Sequence, residues 1–348
     1  MPTFSADALL TLSRNIFEKA KVPADEADVV ARSLVDANLC GFDSHGVIRV
    51  VQYVDLIEQG TYKPGAAFDI LKETPALLAV DAHQGLGQVQ AHRLLQRLMD
   101  KAKVVGVAAG TIANCAHIGR LGEYAEAAAA ANMAFFGTVN SHGHGRRVVP
   151  PGGTQGRIST NPLCMGVPTS GEPVVLDIGT SVCAEGKVRV VFNKGERTPE
   201  GWLVDSNGQP TTDPSVLYKE PRGAILPLGG AQAYKGFGLG LLLDMLAGGL
   251  SGGACSNPRA TLLGYNAVLF TVFAVEHFAG TEHFLKEVNG LADFVRNCPR
   301  AAGVEEIMLP GDPEARNKAK RRAAGITVDD GTWKQMTALA GRLGVALP

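Results

Sequence analysis

Gly236-Phe237-Gly238-Leu239-Gly240 is the glycine string of this chain that most invites a dinucleotide-binding reading. The phosphate-binding fingerprint of a standard Rossmann unit needs G-x-G-x-x-G directly after a strand, with an acid about 20 residues further on. This string has its glycines in the wrong order, and Gly85-Leu86-Gly87 lacks a third glycine. A standard Rossmann domain is therefore disfavoured, and any dinucleotide chemistry needs another scaffold. The run that follows, Phe237 to Leu250, reads instead as a buried helix entered from a Gly-rich loop. Asp244 interrupts it, and it is too short to span a bilayer.

Outward from that helix the chain alternates. Ser5 caps a helix from Ala6 to about Ala20, and Pro23 fits the first turn of a second that ends near Gly41. A third runs from Gly46 to Gln59 and stops at Gly60. Ile70 to Asp81 reads as one or two strands, Val89 to Val104 as a helix with Ala91, Leu94, Leu95 and Leu98 on its apolar stripe, and Val105 to Thr111 as a short strand. A helix at Leu121 to Asn132 and strands at Met133 to Asn140 and Pro173 to Asp177 follow. Phe192 to Asp213 carries hairpin chemistry in Lys194-Gly195 and Asn207-Gly208. A strand at Ala267 to Val275 and helices at Thr281 to Asn297, Glu314 to Ala324 and Asp329 to Leu343 complete an α/β chain.

The 348 residues suggest two or three structural units, and 42 glycines point to many tight turns. A formal net charge of -1 offers no field for nucleic acid or an anionic membrane. The six cysteines are scattered without zinc-like pairing, which fits reduced thiols. No basic region followed by an apolar core opens the chain, so a soluble cytoplasmic protein is expected.

The chemistry concentrates in Asp43-Ser44-His45-Gly46-Val47-Ile48-Arg49-Val50-Val51-Gln52-Tyr53. If the segment from Gly46 is helical, His45, Arg49 and Tyr53 share one face. Asp43 or Ser44 can cap its start. A ring that titrates near neutrality then stands beside a planar fork suited to a carboxylate. That pair suits a small 2-oxo or 2-hydroxy acid. The plainer alternative is a helix start with an incidental His and a solvated Arg.

Other motifs are weaker singly. Asn114-Cys115-Ala116-His117-Ile118-Gly119-Arg120-Leu121-Gly122 can bring backbone N–H groups to a phosphate before a helix, with His117 as a second acid/base or a satisfied loop residue. His142-Gly143-His144-Gly145-Arg146-Arg147 clusters two histidines, but no Cys or carboxylate at ligand spacing accompanies them, so no metal is assigned. A metal-dependent hydrolase using His142 and His144 is the reading this loop would carry. Asp177 can accept from ribose hydroxyls, and Thr180 or Ser181 can cap the next helix or hold phosphate. Tyr234-Lys235-Gly236 puts a cation at a helix start.

Together the segments resemble the malate/L-lactate dehydrogenase-like family, non-Rossmann NAD(P)-dependent oxidoreductases. The pieces are Asp43-Ser44-His45-Gly46 with Arg49 and Tyr53, His117 through Gly122, Ser159-Thr160-Asn161-Pro162, Leu176-Asp177 through Ser181, Gly186-Lys187, Lys235 through Gly238, and Leu309-Pro310-Gly311. They keep the family's order over nearly the whole chain. Three stretches, His117 to Arg120, Gly208 to Thr212 and Leu250 to Gly253, look most like its bacterial hydroxycarboxylate dehydrogenases.

The resemblance implies a mixed α/β fold with a mixed sheet and a helical N-terminal subdomain. It implies a helical, dimerisation and substrate part at 1–120 plus 300–348, an NAD(P)-binding part at 121–299, and a homodimer. His45 matches the acid/base, Ser44 its relay neighbour, and Arg49 a carboxylate ligand. Tyr53 and His142 match substrate contacts, and His117 a catalytic one. The cofactor set is His45, Gly119, Arg120, Leu121, Thr160, Asn161, Asp177, Ile178, Gly179, Thr180, Ser181, Lys187, Lys235, Gly236, Pro310, Gly311 and Asp312, with NAD or NADP as cofactor. Lys187 stands where some imine reductases of the family carry an Asp, which argues against the alternative of an NADPH-dependent cyclic imine reductase.

Overall fold

A computed structural model describes residues 1–260 and 264–348. The chain opens with a two-residue strand, β1 (Thr3–Phe4), and then α1 (Ala6–Lys19), whose first turn is capped by Ser5 Oγ accepting from the Ala8 amide at 3.2 Å. Pro23 is the N-cap residue of α2 (Ala24–Cys40), one position earlier than expected, and Gly41 ends that helix at φ 95°. Asp43–His45 then forms a single 3-10 turn, and α3 (Arg49–Glu58) begins only after it. Leu9, Leu12, Ile16, Val30, Leu34, Val50 and Val54 pack these helices into one apolar cluster.

Next come β2 (Asp69–Glu73), β3 (Leu77–Asp81), α4 (Gly87–Val105), β4 (Val107–Ala116), α5 (Gly122–Ala130) and β5 (Met133–Asn140). β6 (Leu163–Val167) falls where the sequence reads as turns. It is short, and Gly166 allows α5 to approach so closely that a Cβ there would stand 2.7 Å from that of Ala125. After β7 (Val174–Ile178) and α6 (Glu185–Asn193), three two-residue strands, β8 (Leu203–Val204), β9 (Pro210–Thr211) and β10 (Ala224–Ile225), form a small separate sheet. The chain closes with α7 (Ala233–Ser251), β11 (Tyr265–Ala274), α8 (Thr281–Arg296), α9 (Asp312–Ala324), β12 (Ile326–Thr327) and α10 (Asp330–Leu343). β12 pairs with β1, tying the two ends of the chain together, and α10 joins the first helices through Met336 and Leu339.

The main sheet has seven strands in the order β2-β3-β4-β11-β5-β6-β7. Only β3 and β4 run parallel; the other pairs are antiparallel. This is the expected mixed sheet, and it is not a parallel doubly wound one. α4 and α5 cover it through Leu94, Leu98, Tyr124 and Ala128, packed on Ile112, Phe135 and Phe270. Sheet and core both cross residue 120, where the sequence reading divides the chain.

α7 departs from its expected burial. It lies against β4, β5 and β11, yet Leu242, Met245 and Leu250 on it are 60%, 51% and 60% exposed. Its sequence is apolar on every side, and one chain covers only part of that surface. Among the described residues no helix is long and apolar enough to cross a membrane.

Candidate active site

The 3-10 turn at Asp43–His45 is built from behind by α2 and α9. Asn38, buried on α2, donates to Asp43 Oδ1 at 2.7 Å and accepts the Val47 amide at 2.7 Å. Gly46 makes room for it, since a Cβ at Gly46 would sit 2.2 Å from the Asn38 side chain. Arg321 of α9 grips Asp43 from the other side. Asp43 and Ser44 therefore do not cap α3, because both are spent within the turn that precedes it. Ser44 Oγ lies 3.0 Å from His45 Nδ1, and Arg49 Nε donates to the Ser44 carbonyl at 2.7 Å.

His117 follows the end of β4. Gly87, the first residue of α4, presses on this loop so closely that a Cβ there would lie 2.2 Å from the His117 carbonyl. The His45 and His117 rings stack at 5.5 Å between centroids, with 27° between their planes. Tyr53 Oη reaches His117 Nδ1 at 2.6 Å. The sequence spacing thus does gather His45, Arg49, Tyr53 and His117. Tyr53 is 1% exposed, and its hydroxyl is engaged by His117 and Gln88.

Burial, the Arg49 charge and the Arg120 charge together push His45 down to about 4. Burial, Arg49 and His45 hold His117 well below the usual imidazole range. Neither ring is poised at neutrality as its type suggests; both enter neutral. His45 is then a base ready for a hydroxyl proton, and an acid only after a bound anion offsets the two arginines. Arg49 is half-buried, and its Nη1 is held by Gln52 Oε1 at 2.6 Å. Among the described residues its Nη2 has no protein partner.

Several expected cofactor residues serve structure with their side chains. The Arg120 guanidinium turns inward, 3.0 Å from Asp36 and 2.8 Å from Glu126. Burial opposes its charge, but Glu126 and Asp36 outweigh that and raise its pKa. A phosphate would have to compete with both carboxylates, and the Gly119 amide is already given to His117 Nδ1, so only the backbone amides of Arg120 and Leu121 are left to meet one. Thr180 donates to the Thr160 and Asn161 carbonyls, and Ser181 to that of Cys183. Neither caps α6, whose N-cap residue is Ala184. Asn161 donates to Asp244 Oδ2 at 3.0 Å, and Asn140 to Asp244 Oδ1 at 3.0 Å, so the Asp that interrupts the apolar run fastens β5 and the Thr160 loop to α7. Asp312 accepts from the Leu309 amide and from Arg296, and the Pro310 carbonyl accepts the Val175 amide, pinning the turn through Gly311 to β7.

What remains free suits an anionic dinucleotide. Asp177 accepts the Gly122 amide with one oxygen at 2.8 Å, which also completes the start of α5. Burial pushes its carboxyl up to about 6, against the pull of that amide and of Arg120. Lys187 on α6 and Lys235 on α7 are exposed, and Gly236 packs against Leu228 in the first turn of α7. Gly186 brings α6 to the reactive turn, where a Cβ added to it would stand 3.6 Å from Ser44 Cβ. Two exposed cations, a carboxylate with a free oxygen and open backbone amides are groups that could hold an anionic dinucleotide.

His142 is buried with its Nε2 unpaired and lies edge-on to Tyr265 at 6.5 Å. That places it in the same aromatic row as Tyr62 and Tyr53 and out of the His45–His117 stack. Among the described residues no group of three or more His, Cys, Asp or Glu could hold a metal ion. Sequence reasoning missed Asn266. It accepts from the Ile118 amide and donates to the Asn140 carbonyl, joining the His117 loop to the end of β5. It also missed Asn38, which bonds the turn just after its own helix, and Gln88 and Arg321, whose partners lie 35 and 278 residues away.

A family profile described as malate/L-lactate dehydrogenase matches residues 4–337. An L-lactate dehydrogenase of Cupriavidus necator is 34% identical over 343 residues, covering 97% of each chain. Hydroxycarboxylate dehydrogenase B of Escherichia coli O157:H7 is 33% identical over 98% of this chain and 94% of its own. The solved sulfolactate dehydrogenase of Methanocaldococcus jannaschii superimposes with a TM-score of 0.88 at 32% identity, over 99% of this chain and 98% of its own.

Proposed function

The chain belongs to the malate/L-lactate dehydrogenase family, and from that premise we propose that it interconverts a small 2-hydroxy acid and its 2-oxo acid with NAD or NADP. The observation that carries this is the stacked, neutral pair His45 and His117 beside the unfilled end of the Arg49 fork. Bound NAD(P)H supplies the hydride. Arg49 Nη2 takes the substrate carboxylate, and that contact fixes where the carbonyl lies. His45 donates a proton to the carbonyl oxygen in reduction and removes it in oxidation, with Ser44 Oγ keeping the ring oriented. Lys187 and Lys235 meet the dinucleotide's phosphates, and the second oxygen of Asp177 meets a ribose hydroxyl.

The working unit is a homodimer. The exposed apolar faces that support this lie on α7 and on α8, where Leu291 and Phe294 are 64% and 78% exposed. The test is a nicotinamide fluorescence titration with NADH and NADPH, followed by a panel of 2-oxo acids. Saturable binding with oxidation of one cofactor is expected. Oxidation driven by cyclic imines and not by oxo acids, or no binding of either cofactor, overturns the reading.

A further inference from the structure

We propose that Tyr53, held by Gln88, is the positioning residue that fixes His117 in its Nε2–H form, so that His117 serves the substrate as a hydrogen-bond donor while His45 alone exchanges the proton. The inference rests on the dehydrogenase reading for its chemistry, but its geometry stands without it.

The direction of each bond follows from the one donor whose role cannot change. The Gly119 amide donates to His117 Nδ1 at 3.3 Å, and a backbone N–H has no other role. Nδ1 is therefore an acceptor, and the ring hydrogen resides on Nε2. Tyr53 Oη, 2.6 Å from the same nitrogen, must then donate to it. Its own oxygen in turn accepts from Gln88 Nε2 at 3.2 Å. Gln88 and Tyr53 are each 1% exposed, so no water competes for these groups. Burial also pushes the Tyr53 phenol up to about 12, which keeps it a donor across the working range.

His45 has the opposite arrangement. Its Nδ1 faces Ser44 Oγ, a hydroxyl that can donate or accept by turning about one bond. His45 can gain or lose a proton with no change beyond that rotation. For His117 to act as a base at Nε2, its proton would have to move to Nδ1. That would set it against the Gly119 amide, and Tyr53 would have to turn its hydroxyl away and accept from Nδ1 as well as from Gln88 Nε2. The two stacked rings are thus unequal, and the inequality comes from what stands behind each of them.

The experiment is ¹⁵N NMR of the full-length protein labelled at histidine, with His117 assigned from the signal missing in His117→Gln. A protonated Nε2 and an unprotonated Nδ1 are expected from pH 5 to 8. In Tyr53→Phe, which removes only the hydroxyl, the His117 signals move toward a mixture of tautomers. Turnover in that variant falls about tenfold, the scale of one hydrogen bond, while the affinity for NADH or NADPH is unchanged. Gln88→Met shifts the signals in the same direction. An Nδ1–H or doubly protonated His117 in the native protein overturns the proposal, as do native His117 signals in Tyr53→Phe. Because the tautomer is read without turnover, a failed dehydrogenase assignment would silence the kinetics and leave the NMR result standing.

Discussion

Arg321 holds Asp43 with both ends of its fork, Nη1 to Oδ1 at 2.6 Å and Nη2 to Oδ2 at 3.1 Å, across 278 residues of chain. The bond joins α9 to the 3-10 turn that carries His45. Bidentate pairing of this kind fixes orientation as well as distance. Arg321→Ala should lower unfolding free energy by only about 1 kcal/mol, since Asp43 is largely exposed and its pairing is screened by water. It should lower turnover more than that loss suggests, because the turn behind His45 gains freedom. Urea denaturation alongside steady-state rates separates the two effects; an unchanged kcat would show that Asn38 alone holds the turn.

The depressed proton affinity of His45 sets the pH behaviour of the two directions. Its folded value near 4 lies below the ordinary 6.5, so the ring is neutral at pH 7. Oxidation, which needs a neutral base, should keep a level kcat/KM from pH 8 down to about pH 5. Reduction, which needs the protonated ring, should gain kcat/KM as pH falls over that range. His45→Ala should abolish the slope and cut turnover by about 10²–10⁴ with cofactor affinity intact.

The same shift affects stability. The unfolded chain binds more protons than the folded one between about 4 and 6.5, so His45 stabilises the fold above that window, and the contribution is lost as pH falls through it. His117 acts in the same direction. Thermal melts of His45→Gln should therefore lose less Tm than the native protein on acidification from pH 7 to pH 5.

Arg49→Lys should raise KM for the acid by about 10–100-fold, the loss of one charged hydrogen bond and its geometry. An ammonium cannot reach the Ser44 carbonyl, Gln52 and a carboxylate at once, as the fork can. Equal KM values for the native and variant enzymes would take Arg49 out of the site.

Asp177 links cofactor binding to acidity. Hydroxyl donors favour its ionised form, so affinity for NADH or NADPH should weaken as pH drops below about 6, where the buried carboxyl takes up its proton. Asp177→Asn should bind more weakly and show no such dependence between pH 5 and 7. Fluorescence titrations at a series of pH values would read both.

Leu242→Glu places a charge on the uncovered face of α7. The native protein should sediment as a dimer and the variant as a monomer, with the far-ultraviolet circular dichroism of the two alike. A native monomer would remove α7 from the interface.

Local signals made much of this legible. The Ser5 cap, the stop at Gly41 and the apolar stripe of α4 act within a turn or two of the chain, and the structure reproduces them. The absence of a Rossmann fingerprint was likewise a local fact, and the sheet bears it out. Spacing also placed His45 and Arg49 side by side. It could not show that α3 starts at Arg49, nor that Tyr53 would turn toward a histidine 64 residues away. That the side chains of Arg120, Asn161 and Thr180 face protein neighbours was not legible for one reason: whether a polar group faces a ligand or a neighbour depends on partners such as Asp36 and Asp244, which no local pattern announces.

The central strand of the main sheet is the last of its seven to be synthesised. β4 ends at Ala116 and β5 starts at Met133, yet β11, which lies between them, begins only at Tyr265. While the ribosome makes the intervening segment, the growing chain holds two half-sheets with bare edges facing each other, the kind of edge that recruits stray strands. Asn266 arrives on that same late strand, and only then are the His117 loop and the end of β5 joined. A chain cut short before Tyr265 would contain every residue proposed for proton transfer and would still be both inactive and adhesive.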